Sequence, residues 1–139
     1  MYLQFLSPST NRLIISVTLF FALLSPMAFA QAPQPAEAPQ PAEGTMKSMI
    51  AAIQANSLPN FVAPGDEPFQ AGMTREMLSS INQSLASRLT QGYTSTFLTR
   101  LNQQGFGVYV WKLAFKDGND DVLVFMAVKE GKVGGFWLR

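Results

Sequence analysis

Between Phe106 and Leu138 the chain carries three apolar runs, Phe106–Phe115, Val122–Val128 and Val133–Leu138, dense in Val, Phe, Trp, Tyr and Leu. Such residues suit a pleated, part-buried surface, so the runs read as β-strands. Gly118-Asn119 and Glu130-Gly131 separate them, and each pair tolerates the positive φ angles of a tight hairpin turn. Strand, turn, strand, turn, strand is an antiparallel meander. Two-residue turns fix its register, setting Phe115 opposite Val122, Leu113 opposite Val124 and Trp111 opposite Met126. In the second hairpin they set Val128 opposite Val133, Met126 opposite Gly135 and Val124 opposite Trp137.

Alternation along these strands then defines two faces. One carries Tyr109, Trp111, Leu113, Phe115, Val122, Val124, Met126, Val128, Val133 and Trp137, without a charge, and reads as the core face. The other carries Val108, Val110, Lys112, Ala114, Leu123, Phe125, Ala127, Lys129, Lys132, Phe136 and Leu138. A solvated sheet face is mostly polar, and this one is not. It calls for a partner, a long loop or a ligand.

Upstream, the period changes. Met46, Met49, Ile50 and Ile53 recur at helical spacing within Thr45–Asn56, with Thr45 placed to cap. Met77, Leu78, Ile81, Leu85 and Leu89 form a stripe along Thr74–Leu89, capped by Thr74 and ended by Gly92. Leu58–Gly72, broken by three prolines but holding Leu58, Phe61, Val62 and Phe69, reads as a loop pinned to the core. Tyr93–Leu101 is open between strand and helix; its threonines and odd-numbered apolar positions Tyr93, Phe97 and Leu101 favour a first strand. Gln103-Gln104-Gly105 would then be a three-residue hairpin loop that sets those three side chains beside Tyr109 and Trp111. The expected fold is α+β, two N-terminal helices packed on a curved four-stranded antiparallel meander sheet.

Met1–Ala30 reads as a signal peptide. Arg12 precedes the apolar run Leu13–Leu24, short for a membrane span, and Ala28-Phe29-Ala30 offers small residues for cleavage. Residues 31–44 hold a tandem repeat, APQPAE at Ala32–Glu37 and again at Ala38–Glu43, expected to be an extended polyproline-like spacer. Residues 45–139 form the expected domain. Arg12 is the one basic residue of ten ahead of Gln31, so the cleaved chain carries nine basic against nine acidic residues. Neutrality without clustered cations argues against nucleic acid or, after cleavage, a membrane as partner. With no His and no Cys, the commonest metal ligands and general base are missing, and no metal or cofactor is expected. Asp117-x-Asn119-x-Asp121 echoes a calcium loop, but Val122 and Val128 stand where that loop needs Gly and Glu, so a hairpin turn is the better reading.

Helix, loop, long helix and a meander ending in Lys129–Leu138, KEGKVGGFWL, resembles the nuclear-transport-factor-2-like (SnoaL-like, cystatin-like cone) superfamily over Thr45–Arg139. The resemblance implies helices closing over a bent sheet to leave a cone. It implies a catalytic Asp, His or Tyr inside that cone only for some members. Here Asp117, Asp120, Asp121 and Glu130 lie in or beside turns, and Tyr93 and Tyr109 have no proton-transfer partner in the sheet, so no catalytic residue carries over.

The sequence therefore points to an exported, periplasmic or secreted, non-enzymatic domain. Tyr93, Tyr109, Trp111, Met126 and Trp137 are its candidate wall for a small apolar ligand, or else ordinary core beneath Thr74–Leu89. Lys112, in the middle of a strand between Val110 and Ala114 on the second face, reads as an anti-aggregation charge rather than a ligand-binding cation. Val110, Leu123, Phe125 and Phe136 are the expected centre of a homodimer contact; a protein partner, a purely structural domain with a filled core, and an isomerase- or dehydratase-like enzyme are the alternatives. The mature protein is expected to begin at Gln31 outside the cytoplasm; N-terminal sequencing that returns Met1 from a membrane fraction overturns this.

Overall fold

The structure, a computed structural model, describes residues 37–139; the expected signal peptide and residues 31–36 of the spacer lie outside them. Four helices come first: α1 (Gln40–Gln54), α2 (Leu58–Val62), α3 (Glu67–Gly72) and α4 (Arg75–Gln91). Four strands follow: β1 (Tyr93–Gln103), β2 (Phe106–Phe115), β3 (Val122–Lys129) and β4 (Lys132–Leu138). They form one antiparallel sheet in the order β1-β2-β3-β4. The fold is α+β, with four helices where two were expected, and Tyr93–Leu101 is strand.

Helix α1 opens five residues ahead of the expected Thr45. Pro39 sits in the extended region at its N-cap and Pro41 lies in its first turn, where a missing N–H costs nothing. Part of the expected spacer is thus helical, with Ala38 and Ala42 buried against the core. Thr45 is no cap; its Oγ1 donates back to the Pro41 carbonyl at 2.8 Å. Asn56 ends the helix with φ of 50° and donates its N–H to the Ile53 carbonyl, and Asn82 of α4 donates to the Ile53 and Gln54 carbonyls at the same end.

The expected loop Leu58–Gly72 holds two short helices, each with proline in its first turn, and Asp66 caps the second by accepting from Phe69 N at 2.9 Å. It is pinned as expected. Phe61 is fully buried, and Gly65 forms a parallel bridge to Val133 of β4. Helix α4 is capped by Thr74, which accepts from Met77 N, and ends at Gly92 with φ of 102°. Leu78, Leu85 and Leu89 are buried, whereas Met77, expected in the stripe, points outward.

The sheet departs from the expected register at three places. In the β2–β3 hairpin the pairs are Leu113↔Val122, Trp111↔Val124 and Tyr109↔Met126, a slip of two residues. The loop is held open because Arg88 of α4 pulls on it: Nε donates to Asp117 Oδ2 at 2.7 Å and an Nη donates to the Asp120 carbonyl at 2.6 Å. Since side chains alternate with period two, a slip of two leaves every one on its expected face.

The other two departures are one-residue bulges, and these do change faces. Gln104 and Gly105 make a two-residue turn, with φ of 51° and 82°, in place of the expected three-residue loop. A bulge at Leu98 restores the difference. Tyr93 and Phe97 therefore face the core as expected, while Leu101 pairs with Val108 on the outer face. The Glu130-Gly131 turn and the Val128↔Val133 pair are as expected, but β4 then bulges so that Ala127 pairs with Gly135. Phe136, expected on the outer face, packs edge-on against Phe61, and Leu138 joins it at the core. Trp137, expected in the core, pairs with Phe125 on the outer face and is 49% exposed.

Between helices and sheet, Met46, Met49, Ile50, Ile53, Phe61, Leu78, Trp111, Leu113, Val124, Met126 and Val133 are completely buried. The Arg88 clamp gives this packing a pH dependence. Hydrogen bonding from Arg88, then from Asn119 N, lowers the Asp117 pKa from 3.8 to about 2. A carboxylate held lower in the folded state contributes stability that is complete above its ordinary pKa and lost as pH falls through the folded one. Thermal unfolding should therefore show a wild-type advantage over Asp117→Asn that is constant above about pH 4 and shrinks from pH 4 towards pH 2. A pH-independent difference would remove the clamp from the account.

Candidate functional site

Of the five candidate ligand-wall residues, the sheet brings four together on the helix side. Tyr109 and Trp111 stack with ring centroids 6.0 Å apart, and Phe97 meets Trp111 edge-on at 5.6 Å. Met126 lies opposite Tyr109 on β3. Tyr93 sits further along β1 against Phe115. Trp111 and Met126 are wholly buried, Tyr93 and Tyr109 partly so.

An indole N–H in an apolar layer needs an acceptor. Trp111 finds it in Glu43 of α1, donating from Nε1 to Oε2 at 2.6 Å. The other Glu43 oxygen lies 3.0 Å from Lys47 Nζ. The carboxylate is thereby engaged on both oxygens, by a donor and by a cation. Burial raises the pKa of the nearby Tyr93 phenol, opposed by Lys47 and reinforced by Glu43. This cluster fastens α1 to the sheet. Glu43 had been read as part of a spacer; the legible signal was a strand tryptophan in search of an acceptor.

Trp137, the fifth residue, lies on the outer face. Gly134 and Gly135 of β4 shape its surroundings: a side chain at Gly135 would collide with the Trp137 indole, and one at Gly134 with the Phe106 ring. Two glycines thus let two aromatic rings lie down on the strands. Between them opens a cleft of about 550 Å³, lined by Val108 and Ala127 and bordered by Gln103 and Gln104. A second hollow of about 300 Å³ shares Gln103, Val108 and Trp137 and adds Phe125 and Arg139. Leu98 and Leu101 of β1 are also exposed. Lys112, the mid-strand cation of this face, lies 3.3 Å from Asp121. Of the residues in the calcium-like run, Asp117 is bound by Arg88 and Asn119 N.

Chemically, the outer face offers apolar and aromatic surface with amides and cations at its edge. Among the described residues no polar or charged side chain is buried.

The sequence matches no protein-family model, and no curated protein matches it. Among solved structures it is similar to an uncharacterized cystatin fold protein from Novosphingobium aromaticivorans, at 15% identity and a TM-score of 0.36, over 69% of this chain and 95% of that one.

The two tryptophans should respond oppositely to truncation. Trp111→Ala empties a fully buried site and takes the donor from Glu43 Oε2, and should cost about 3–5 kcal/mol in urea denaturation. Trp137→Ala should cost under about 1 kcal/mol, as surface changes do. Equal losses would mean that Trp137, too, is core.

Proposed function

We propose that this is an extracytoplasmic domain that acts by binding rather than by catalysis, and that the outer face of its sheet pairs with a second copy. The observation that carries this is the outer face itself. Val110, Leu123, Phe125 and Trp137 lie there as neighbours across β2, β3 and β4, while the helices pack on the opposite face. Trp137 takes the place in the contact that the sequence had given to Phe136. The architecture, helices laid on one side of a bulged antiparallel meander, also supports kinship with the cone-shaped nuclear-transport-factor-2-like domains.

Area supports the pairing. Four strands at about 4.8 Å, each about eight residues long at about 3.3 Å per residue, give a footprint of roughly 500 Å². With side-chain relief, two such faces bury on the order of 1,000–1,500 Å² in all, enough for a specific contact of modest size. A two-fold arrangement sets the same patch against itself. Lys129 and Lys132, at the turn end of β3 and β4, remain at the rim with their ammonium groups in water. Binding is favoured over catalysis because the two best-placed carboxylates, Glu43 and Asp117, are both occupied by structural partners.

Sedimentation should find the wild-type protein dimeric at tens of micromolar, on the order of what an interface of this size sustains. Phe125→Lys, which sets a charge in the contact, should yield a folded monomer. A monomeric wild type overturns the proposal.

A further inference from the structure

The loop between β2 and β3 carries the calcium-like run Asp117-x-Asn119-x-Asp121, whose chemistry neither the core nor the outer face uses. Its first two residues, Asp117-Gly118, are the one Asp-Gly pair of the chain, and no Asn-Gly pair occurs. An aspartate ahead of glycine is the dipeptide most open to cyclisation, because glycine presents its backbone nitrogen with no side chain in the way. The Gly118 nitrogen stands at the spacing from the Asp117 carboxyl that closes a five-membered imide.

Ring closure needs that carboxyl protonated and free to turn towards the nitrogen. Neither condition is met. Arg88 Nε donates to Asp117 Oδ2 at 2.7 Å, and Asn119 N donates to Oδ1 at 2.9 Å. Hydrogen bonds on both oxygens, one of them from a cation, keep the group ionised and fix its plane. The Asp117 side chain is only 9% exposed, although the residues on either side of it in the loop are in solvent. Arg88 is itself held in place, 4.0 Å from the centre of the Phe115 ring and 2.6 Å from the Asp120 carbonyl. Gly118 N is turned to the Phe115 carbonyl, 3.4 Å away.

We propose that Asp117-Gly118 is a covalent modification site, a succinimide-forming pair that Arg88 holds shut while the domain is folded. Once the clamp opens, Gly118 N attacks Cγ of the protonated Asp117 carboxyl. The N–Cγ bond forms, a Cγ–O bond breaks, and the hydroxyl leaves with the amide proton as water. A second water opens the ring. Addition at Cγ restores aspartate, whereas addition at the Asp117 main-chain carbonyl gives isoaspartate, with the chain running on through Cβ. No oxidant or cofactor enters. The product has one more methylene in the main chain of the loop and a carboxylate one carbon shorter, so Arg88 and Asn119 N lose the geometry that held it. The loop thereby keeps a permanent mark of each release. This goes beyond the pairing of two copies, because it involves neither face of the sheet.

Peptide mapping after warm incubation of the purified protein near neutral pH tests it. Isoaspartate is read as an isomer of equal mass in the peptide Lys116–Leu123. Folded wild type should accumulate it slowly. Wild type held in guanidinium chloride should do so roughly tenfold faster, the factor by which one pKa unit changes the protonated fraction. Arg88→Gln, shown by circular dichroism to be folded, should approach the unfolded rate. Arg88→Lys keeps the charge and a stem to lie on Phe115 but not the fork, and should fall between even if Arg88→Gln does not fold. Asp117→Glu would have to close a six-membered ring and should give no isomer. A folded Arg88 variant that ages as slowly as wild type overturns the proposal. So does a folded wild type that keeps pace with the unfolded chain, or an isomer that persists in Asp117→Glu and so belongs to Asp120 or Asp121. None of these readouts changes with the number of copies in the particle, so a monomeric wild type sinks the pairing alone.

Discussion

In a β-strand each successive side chain turns to the opposite face, so one residue inserted into β4 decides which of two neighbouring aromatic rings enters the core. The bulge between the Val128↔Val133 and Ala127↔Gly135 pairs sends Phe136 inward against Phe61 and Trp137 outward beside Phe125. Both rings are large enough to fill a core. What separates them is the polar end: the Trp137 indole N–H meets water outside, whereas inside it would need an acceptor of its own. Trp111, which does go inside, has one in Glu43. The character of both faces follows from this partition, and with it the cleft and the candidate contact.

Two polar devices hold the helices to that sheet from opposite ends. Glu43 reaches from the first turn of α1 to the middle of β2, and Arg88 reaches from the last turns of α4 to the loop that follows β2. Arg88 also lies 4.0 Å from the centre of the Phe115 ring, so its stem and plane pack while its N–H groups bond. Neither device is a large source of stability beside the buried apolar surface. Their effect is to fix where the helices sit along the strands, which apolar packing alone specifies loosely.

Much of this was legible in the chain. The span Phe106–Phe115 is the strand it reads as, and Thr74 and Gly92 bound α4 as their chemistry implies. The faces of β2 and β3 also came out correctly although their register did not, because the Arg88 pull on the loop is a tertiary effect that displaces the pairing by an even number. The bulges at Leu98 and Gly134 were not legible. Each costs only one residue of ladder, and no local residue preference announces it strongly enough to overrule regular alternation. The start of α1 was misread because Pro39 and Pro41 look like breakers, although proline in a first turn is compatible with helix; Pro59 and Pro68 hid α2 and α3 in the same way. At the candidate site, four of five residues were assigned to the right face, and Trp137, which lines the cleft, was assigned to the wrong one.

The bridge between Gly65 and Val133 has a consequence for how the chain finds its shape. A sheet that is apolar on both sides gains little from one strand alignment over the next, since a slipped strand still presents apolar groups to the interior. Something other than hydrophobicity must choose. Val133 N donates to the Pro64 carbonyl at 3.0 Å and Asp66 N donates to the Val133 carbonyl at 2.9 Å, so the segment between α2 and α3 grips β4 at one residue and at no other. That grip acts as an index pin. The last strand is set in its notch by a part of the chain made long before it, and the ambiguity of an oily sheet is resolved by two backbone hydrogen bonds.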